Sequence, residues 1–166
     1  DAVIVNSEAG RTIHEGLGYK PRKWDLIPNG FDLTRFRPDP TARAEVRKTL
    51  GIPTGSRVIG LMARFDPLKD HGTFLRAAAH LLVSNPGTHF VLVGADVESS
   101  NPILSGLINE LGIASQVHLL GERSDAARIT AVFDIGTCSS TGEGFPNMIG
   151  EAMASAVPVV TTDVGD

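Results

Sequence analysis

Two glutamates, Glu143 and Glu151, stand eight positions apart in SSTGEGFPNMIGEAMASAVPVVTTD, the segment from Ser139 to Asp163. A carboxylate accepts two hydroxyl hydrogen bonds at once, so two of them beside one helix start suit a polyol such as a sugar or a ribose. Gly144 and Pro146 mark that start. Pro146 suits the first helical position, and the unpaired N–H groups of the first turn are then free to meet an oxygen-rich ligand. Further along, Ile149, Ala152, Met153 and Ala156 follow an i, i+3, i+4, i+7 spacing and are expected to face a sheet. Glu151 falls off that stripe, on the side of Asn147 four residues earlier. Singly, each glutamate has a plainer reading, Glu143 as a charge favouring the helix dipole and Glu151 as a solvated residue. Together they read as a ligand site.

The flanking segments place this site in the fold. DIGTCSS reads as a strand running into a loop and VPVVTT as the next strand, so the helix between them is a crossover in a parallel sheet. Glu143 then lies at the carboxyl end of a strand, where open α/β sheets bind ligands. A second cluster, GLMARFDPLKDHGTFLRAA, ends a strand near Ala63 and carries Arg64 and Lys69 in the following loop, which brings both cations to the same sheet edge.

The rest of the chain supplies the elements that position these residues. From about 2 to 28 it reads strand, helix, strand, the helix running from Glu8 to Leu17. PNGFDLTRFRPDP, from Pro28 to Pro40, is rich in turn residues and lacks periodicity. A helix from Thr41 to Leu50 and the strand RVIGLMA follow. Alternation then continues: helix 71–84, strand 89–94, helix 102–111, strand 117–120, helix 124–132, strand 134–139, helix 146–155 and strand 157–161. This pattern predicts an α/β fold, a Rossmann-like parallel sheet with helices on both faces.

Composition fits an ordinary globular domain, with 166 residues, 42% hydrophobic and 20% charged, enough for one core. A net charge of −4 gives no general attraction to nucleic acid. No apolar run is long enough to span a bilayer. The single cysteine, Cys138, reads as a small buried hydrophobe, and its solitude fits a reducing cytoplasm. The five histidines show no metal-ligand spacing. VGADVESSN lacks the spacing of a dinucleotide fingerprint, and no P-loop is present. Arg35, Arg37, Arg43, Arg47 and Lys48 form a loose basic stretch, read as a solvated linker and helix face.

The motifs jointly resemble a known family. EGFPN and EAM around two glutamates with seven residues between them, followed by PVV, look like the donor-binding signature of the retaining GT-B glycosyltransferases of family 4, also called group 1. VIVNS, IPNGFD with F-x-P, ARFDPLKD, FVLVG and VHLLG follow in that family's order. The resemblance implies half of a GT-B fold. Residues 1–28 would end the N-terminal, acceptor-side domain, 29–40 would be the interdomain linker, and 41–166 the nucleotide-sugar donor-binding domain. The chain opens on a strand with Asp1 and stops just after another, so it is expected to be a piece of something longer.

The implied reaction moves a sugar from a UDP- or GDP-sugar donor to a saccharide or lipid-linked acceptor with retention of configuration. Polysaccharide or glycoconjugate biosynthesis in the cytoplasm, or at the cytoplasmic face of a membrane reached through the missing domain, is the setting it implies. Glu143 would contact the transferred sugar and Glu151 the ribose. The backbone around Gly144, Phe145, Asn147 and Met148 would meet sugar and phosphate oxygens. Arg64 and Lys69 would stabilise the departing diphosphate with no metal or other cofactor. Gly121, Glu122 and Arg123 would close over the base. STGEG before the helix and ASAVP after it depart from the family's commonest wording, which touches sugar specificity. Two rivals remain at this level: a GT-B nucleotide-sugar epimerase and a non-catalytic nucleotide-sugar binding module. The PNGFD turn, with Gly30, is the expected hinge.

Overall fold

The computed structural model describes residues 1–165; Asp166, the last residue of the expected donor-binding segment, lies outside the described residues. In chain order the elements are β1 (Ala2–Val5), α1 (Glu8–Gly16), β2 (Lys23–Leu26), α2 (Pro40–Thr49), β3 (Val58–Met62), a 3₁₀ turn (Pro67–Lys69), α3 (His71–Ser84), β4 (His89–Val93), α4 (Pro102–Glu110), β5 (Val117–Leu119), α5 (Ala126–Thr130), β6 (Ile135–Cys138), α6 (Asn147–Ala154) and β7 (Val159–Thr161). The order agrees with the sequence reading. The 3₁₀ turn, read from sequence as loop, arises because Asp66 accepts the Leu68 N–H at 2.9 Å while Pro67 has no N–H to satisfy.

Most helices begin on a side chain that caps them. Ser7 Oγ accepts the Gly10 N–H at 3.0 Å, Asp39 the Ala42 N–H at 2.8 Å, Asp70 the Thr73 N–H at 3.0 Å, and Asn101 the Ile103 N–H at 3.0 Å. α6 is different. Its cap is Pro146, one residue later than the sequence predicts, and Pro146 offers no side-chain acceptor.

β1 and β2 pair in parallel with each other in a two-stranded sheet, while the other five strands form a parallel sheet in the order β5-β4-β3-β6-β7. The central strands are apolar on both faces, as strands covered by helices on each side must be. Ile59, Leu61, Phe90 and Leu92 point to a core shared with Phe74 and Leu75 of α3 and Leu104 and Ile108 of α4. Val58, Val91 and Val93 point to the opposite core, with Ile129, Phe133, Met148 and Ala152. On that face Gly60 leaves room for the Phe133 ring, since a Cβ there would lie 2.2 Å from it. No helix among the described residues is long and apolar enough to cross a membrane.

Strand order fixes where ligands meet this sheet. The chain runs from β3 outward through β4 to β5, then returns to β6 on the other side of β3. Loops after β3 and β6 therefore diverge at a topological switch point, whose carboxyl edge is the binding crevice of open α/β sheets.

At the opposite edge, Arg43 and Arg47 are not the solvated face read from sequence. Arg43 Nη1 donates to the carbonyls of Val132 and Phe133 at 3.0 and 3.1 Å, and Arg47 Nη2 donates to Asp134 Oδ2 at 2.7 Å. Arg43 also pairs with Asp134. Burial pushes the Asp134 carboxyl up, but the Val58 N–H, Arg43 and Arg47 together hold it below the usual carboxylate range. The pair thus ties α2 to the start of β6, four residues apart on one helix face.

Candidate functional site

The loops after β3 and β6 are laced together. Thr141 N–H donates to Leu68 O at 2.8 Å, and Ser139 Oγ donates to Lys69 O at 2.8 Å. These bonds set the 3₁₀ turn beside the β6 loop and aim Lys69 across it. Asp70, left-handed at φ 44°, ends that turn and caps α3.

Lys69 Nζ lies 2.5 Å from Glu143 Oε1, with the two side chains only 21% and 11% exposed. Ser140 Oγ donates to the same oxygen at 2.6 Å. A cavity of about 210 Å³ opens here, lined by Lys69, Cys138, Ser140, Glu143, Asn147 and Met148, with Met62 and Ala63 at its side. Among the described residues no acceptor meets the backbone N–H groups of Asn147 or Met148. The cavity thus combines a cation, a helix amino terminus with uncapped donors and a carboxylate with spare acceptor capacity, a set that suits a ligand carrying both anionic oxygens and hydroxyls.

Arg64 stands apart from this cluster. Its side chain is 66% exposed and folds onto Asp66, at 3.1 Å from Nη2 and 3.3 Å from Nε. Its backbone is closely held, because the chain at Gly94 passes so near that a Cβ would lie 2.2 Å from Ala63 O and 2.7 Å from Arg64 N. Gly121, Glu122 and Arg123 also lie outside the cavity. Gly121 is buried, donating to Val97 O at 2.8 Å and accepting from Gly94 N at 2.9 Å. Glu122 is exposed, and Arg123 forks onto Asp125 at 2.8 and 2.9 Å.

Glu151 faces elsewhere than Glu143. It lines a separate cavity of about 330 Å³ with Asn29, Asp32, Phe36 and Asn147, so Asn147 borders both spaces. Burial pushes the Glu151 carboxyl above its ordinary range, against the opposing pull of Arg35. The expected sheet-facing stripe of α6 is corrected here. Met148, Ala152 and Ser155 are buried, whereas Met153 is exposed and Ala156 lies beyond the helix. Gly136 of β6 decides that phase, because its missing side chain admits Ala152 Cβ and Met148 Sδ.

Three residues the sequence reading passed over form the wall facing α6. Asn29 Nδ2 donates to Asn147 Oδ1 at 2.5 Å, and Asn6 Nδ2 donates to Asn29 Oδ1 at 3.3 Å. The Phe31 ring occupies the space a side chain at Gly150 would need, with a Cβ there only 2.2 Å from it, and lies 6.1 Å from the Phe145 ring. IPNGFD reads from sequence as a family motif, a turn-rich linker and a hinge, none of which says what Asn29 or Phe31 touches. Gly30 itself has no left-handed angle, and a Cβ there would meet nothing within 4 Å.

Other titratable groups sit elsewhere. His71 is 3% exposed and, among the described residues, neither ring nitrogen has a hydrogen-bond partner. His89 Nδ1 and His118 Nε2 lie 3.0 Å apart at the start of β4 and on β5. Among the described residues no three His, Cys, Asp or Glu side chains converge on one point.

The family described as glycosyl transferases group 1 matches residues 56–166. The D-inositol 3-phosphate glycosyltransferase of Rhodococcus erythropolis is 32% identical over 173 residues, covering 99% of this chain and 39% of that protein. The protein of the same description from Nocardia farcinica is 34% identical, covering 99% and 38%. The chain thus spans well under half the length of these relatives. Among solved structures, Anabaena HepE in complex with UDP and glucose superposes with a TM-score of 0.89 at 29% identity, covering 99% of this chain and 45% of that one. HepE has also been solved with UDP-glucose.

Proposed function

This chain belongs to the group 1 glycosyl transferases, and from that premise we propose that it forms the donor-binding part of a GT-B enzyme that transfers a hexose from a UDP-sugar with retention of configuration. The observation that carries the reading is the Lys69–Glu143 pair at the β3/β6 switch point, in a domain similar to one solved with UDP and glucose.

The chemistry follows from the geometry. A bound donor would place its diphosphate against the uncapped amides of Asn147 and Met148 and the Lys69 ammonium, which would then share or leave Glu143. Glu143, released to accept hydroxyls and steadied by Ser140, would hold the transferred sugar. As the glycosidic bond breaks, negative charge grows on the departing diphosphate, and fixed donors stabilise it more than they stabilise the ground state. Arg64 would contribute by leaving Asp66, a small cost because exposed ion pairs are worth about 0–1 kcal/mol. Glu151, raised by burial and lining a cavity with Asn29 and Asn147, is suited to accept the ribose hydroxyls. The acceptor would be a saccharide or a lipid-linked hydroxyl compound, bound by the remainder of a longer protein, in glycoconjugate synthesis on the cytoplasmic side. No observation favours the epimerase alternative.

Calorimetry of this chain with UDP in the presence of a chelator tests the donor site. Binding that is unchanged by added magnesium or manganese is expected; binding only with metal would refute the metal-free assignment. Proton NMR of the product of the full-length enzyme, reading the anomeric coupling, tests retention.

A further inference from the structure

We propose that Asn29 is a positioning residue for the donor: its carboxamide orients the Asn147 side chain, and so couples donor binding to the segment that carries Asn6. This inference rests on the donor reading above and extends it to a residue outside the glutamate and cation motifs.

The orientation of one amide carries the idea. Asn29 Nδ2 donates to Asn147 Oδ1 at 2.5 Å, which engages the acceptor of Asn147. The Nδ2 donors of Asn147 are left for the cavities on either side of it. With the Met148 N–H and the Lys69 ammonium, the cavity beside Asn147 then has a wall of donors facing the Glu143 carboxylate. A rotated Asn147 would present an acceptor there instead, facing ligand oxygens that are themselves acceptors. Asn29 is in turn engaged by Asn6 at the end of β1, so the three carboxamides run from the small sheet to the first turn of α6. Phe31, two residues on, lies against Gly150 and keeps the segment seated on that helix. Gly144 is drawn to the same side, with a Cβ position 3.3 Å from Ser7 Oγ. Ordering a ligand-binding turn in advance lowers the cost of binding.

A double-mutant cycle tests this on the chain with UDP and UDP-glucose as probes, using Asn29→Ala, Asn147→Ala and the pair. Asn29→Ala is expected to weaken UDP-glucose binding about three- to tenfold, the size of one neutral hydrogen bond. It is expected to add no further loss when Asn147 is already alanine, since it acts through that residue. Losses that multiply in the pair, or an unchanged dissociation constant for Asn29→Ala, overturn the proposal while leaving the donor site intact. If the unaltered chain binds neither probe, the donor reading fails and this inference with it. Hydrogen exchange gives a ligand-free readout: faster exchange confined to the hydrogen-bonded amides of α6, from Ile149 to Ala154, in Asn29→Ala supports the link, and unchanged protection there overturns it.

Discussion

The Lys69 ammonium is held 2.5 Å from Glu143 Oε1, across 74 residues of sequence, at the point where the sheet reverses its strand order. Each is the other's charge partner in a largely buried position, so an anionic ligand drawn to Lys69 would compete with Glu143 and leave that carboxylate free to accept hydroxyls.

Removing one member of this pair leaves the other charge buried and uncompensated. Lys69→Ala is expected to lower stability by about 2 kcal/mol and to weaken UDP binding by about 1.5–3 kcal/mol, the range for a hydrogen bond to a charged group. Adding Glu143→Gln should recover the stability but not the affinity. Denaturant titration and calorimetry on the single and double variants check both; affinity restored in the double variant would show that Lys69 acts only as a counter-ion.

Glu143 and Glu151 line different cavities, so their substitutions should separate. In the full-length enzyme, Glu143→Gln is expected to lower kcat more than it changes UDP affinity. Glu151→Ala should instead weaken UDP binding. Transfer rates measured beside UDP dissociation constants decide it, and thermal stability loss alone, with transfer per folded molecule unchanged, would make the motif structural.

Gly94 sets the separation of the loops after β3 and β4. A Cβ there would stand 2.2 Å from Ala63 O, a backbone atom that cannot move alone. Gly94→Ala is expected to cost about 2–3 kcal/mol by forcing the Arg64 backbone away. A melting temperature within 2 °C or so of the parent would contradict this.

Acid should weaken the fold through its histidines. Burial lowers the pKa of His71, opposed by the charge of Asp70; burial also lowers those of His89, helped by Arg47, and His118, helped by His89. The unfolded chain then binds more protons than the folded one below the ordinary histidine pKa of about 6.5, so stability is fully present above that pH and falls as pH drops beneath it. Asp134 and Asp70, held low in the fold, extend the loss towards the ordinary carboxylate range. Unfolding free energies across pH 7 to about 5 should show this slope, and His71→Gln should flatten it. An unaltered slope in that variant would place the effect on the other groups.

Gly30 was expected to be a hinge on the strength of its backbone freedom. Its angle is not left-handed and a Cβ there meets nothing, so Gly30→Ala should change stability and UDP affinity by less than about 0.5 kcal/mol. A larger loss of stability or UDP affinity would show that this position requires glycine in the folded domain.

Much of this architecture was legible in the sequence because its signals are local. Apolar runs in RVIGLMA and FVLV and the regular alternation of elements specify a parallel sheet covered on both faces. Glu143, Arg64 and Lys69 could be assigned to one sheet edge for the same reason, since each follows a strand. What those side chains touch depends on distances between remote parts of the chain, which periodicity does not encode. Strand order, set by packing on both faces at once, put the loops after β3 and β6 side by side and gave Lys69 to Glu143 while Arg64 turned to Asp66. Gly136 set the rotation of α6 and sent Glu151 towards Asn29, Asp32 and Phe36 instead of the Glu143 cavity. The room at Gly150 for Phe31, the amide chain from Asn6 to Asn147, and the Arg43 and Arg47 clasp on Asp134 are likewise contacts between residues far apart in sequence, decided only once the two cores had closed.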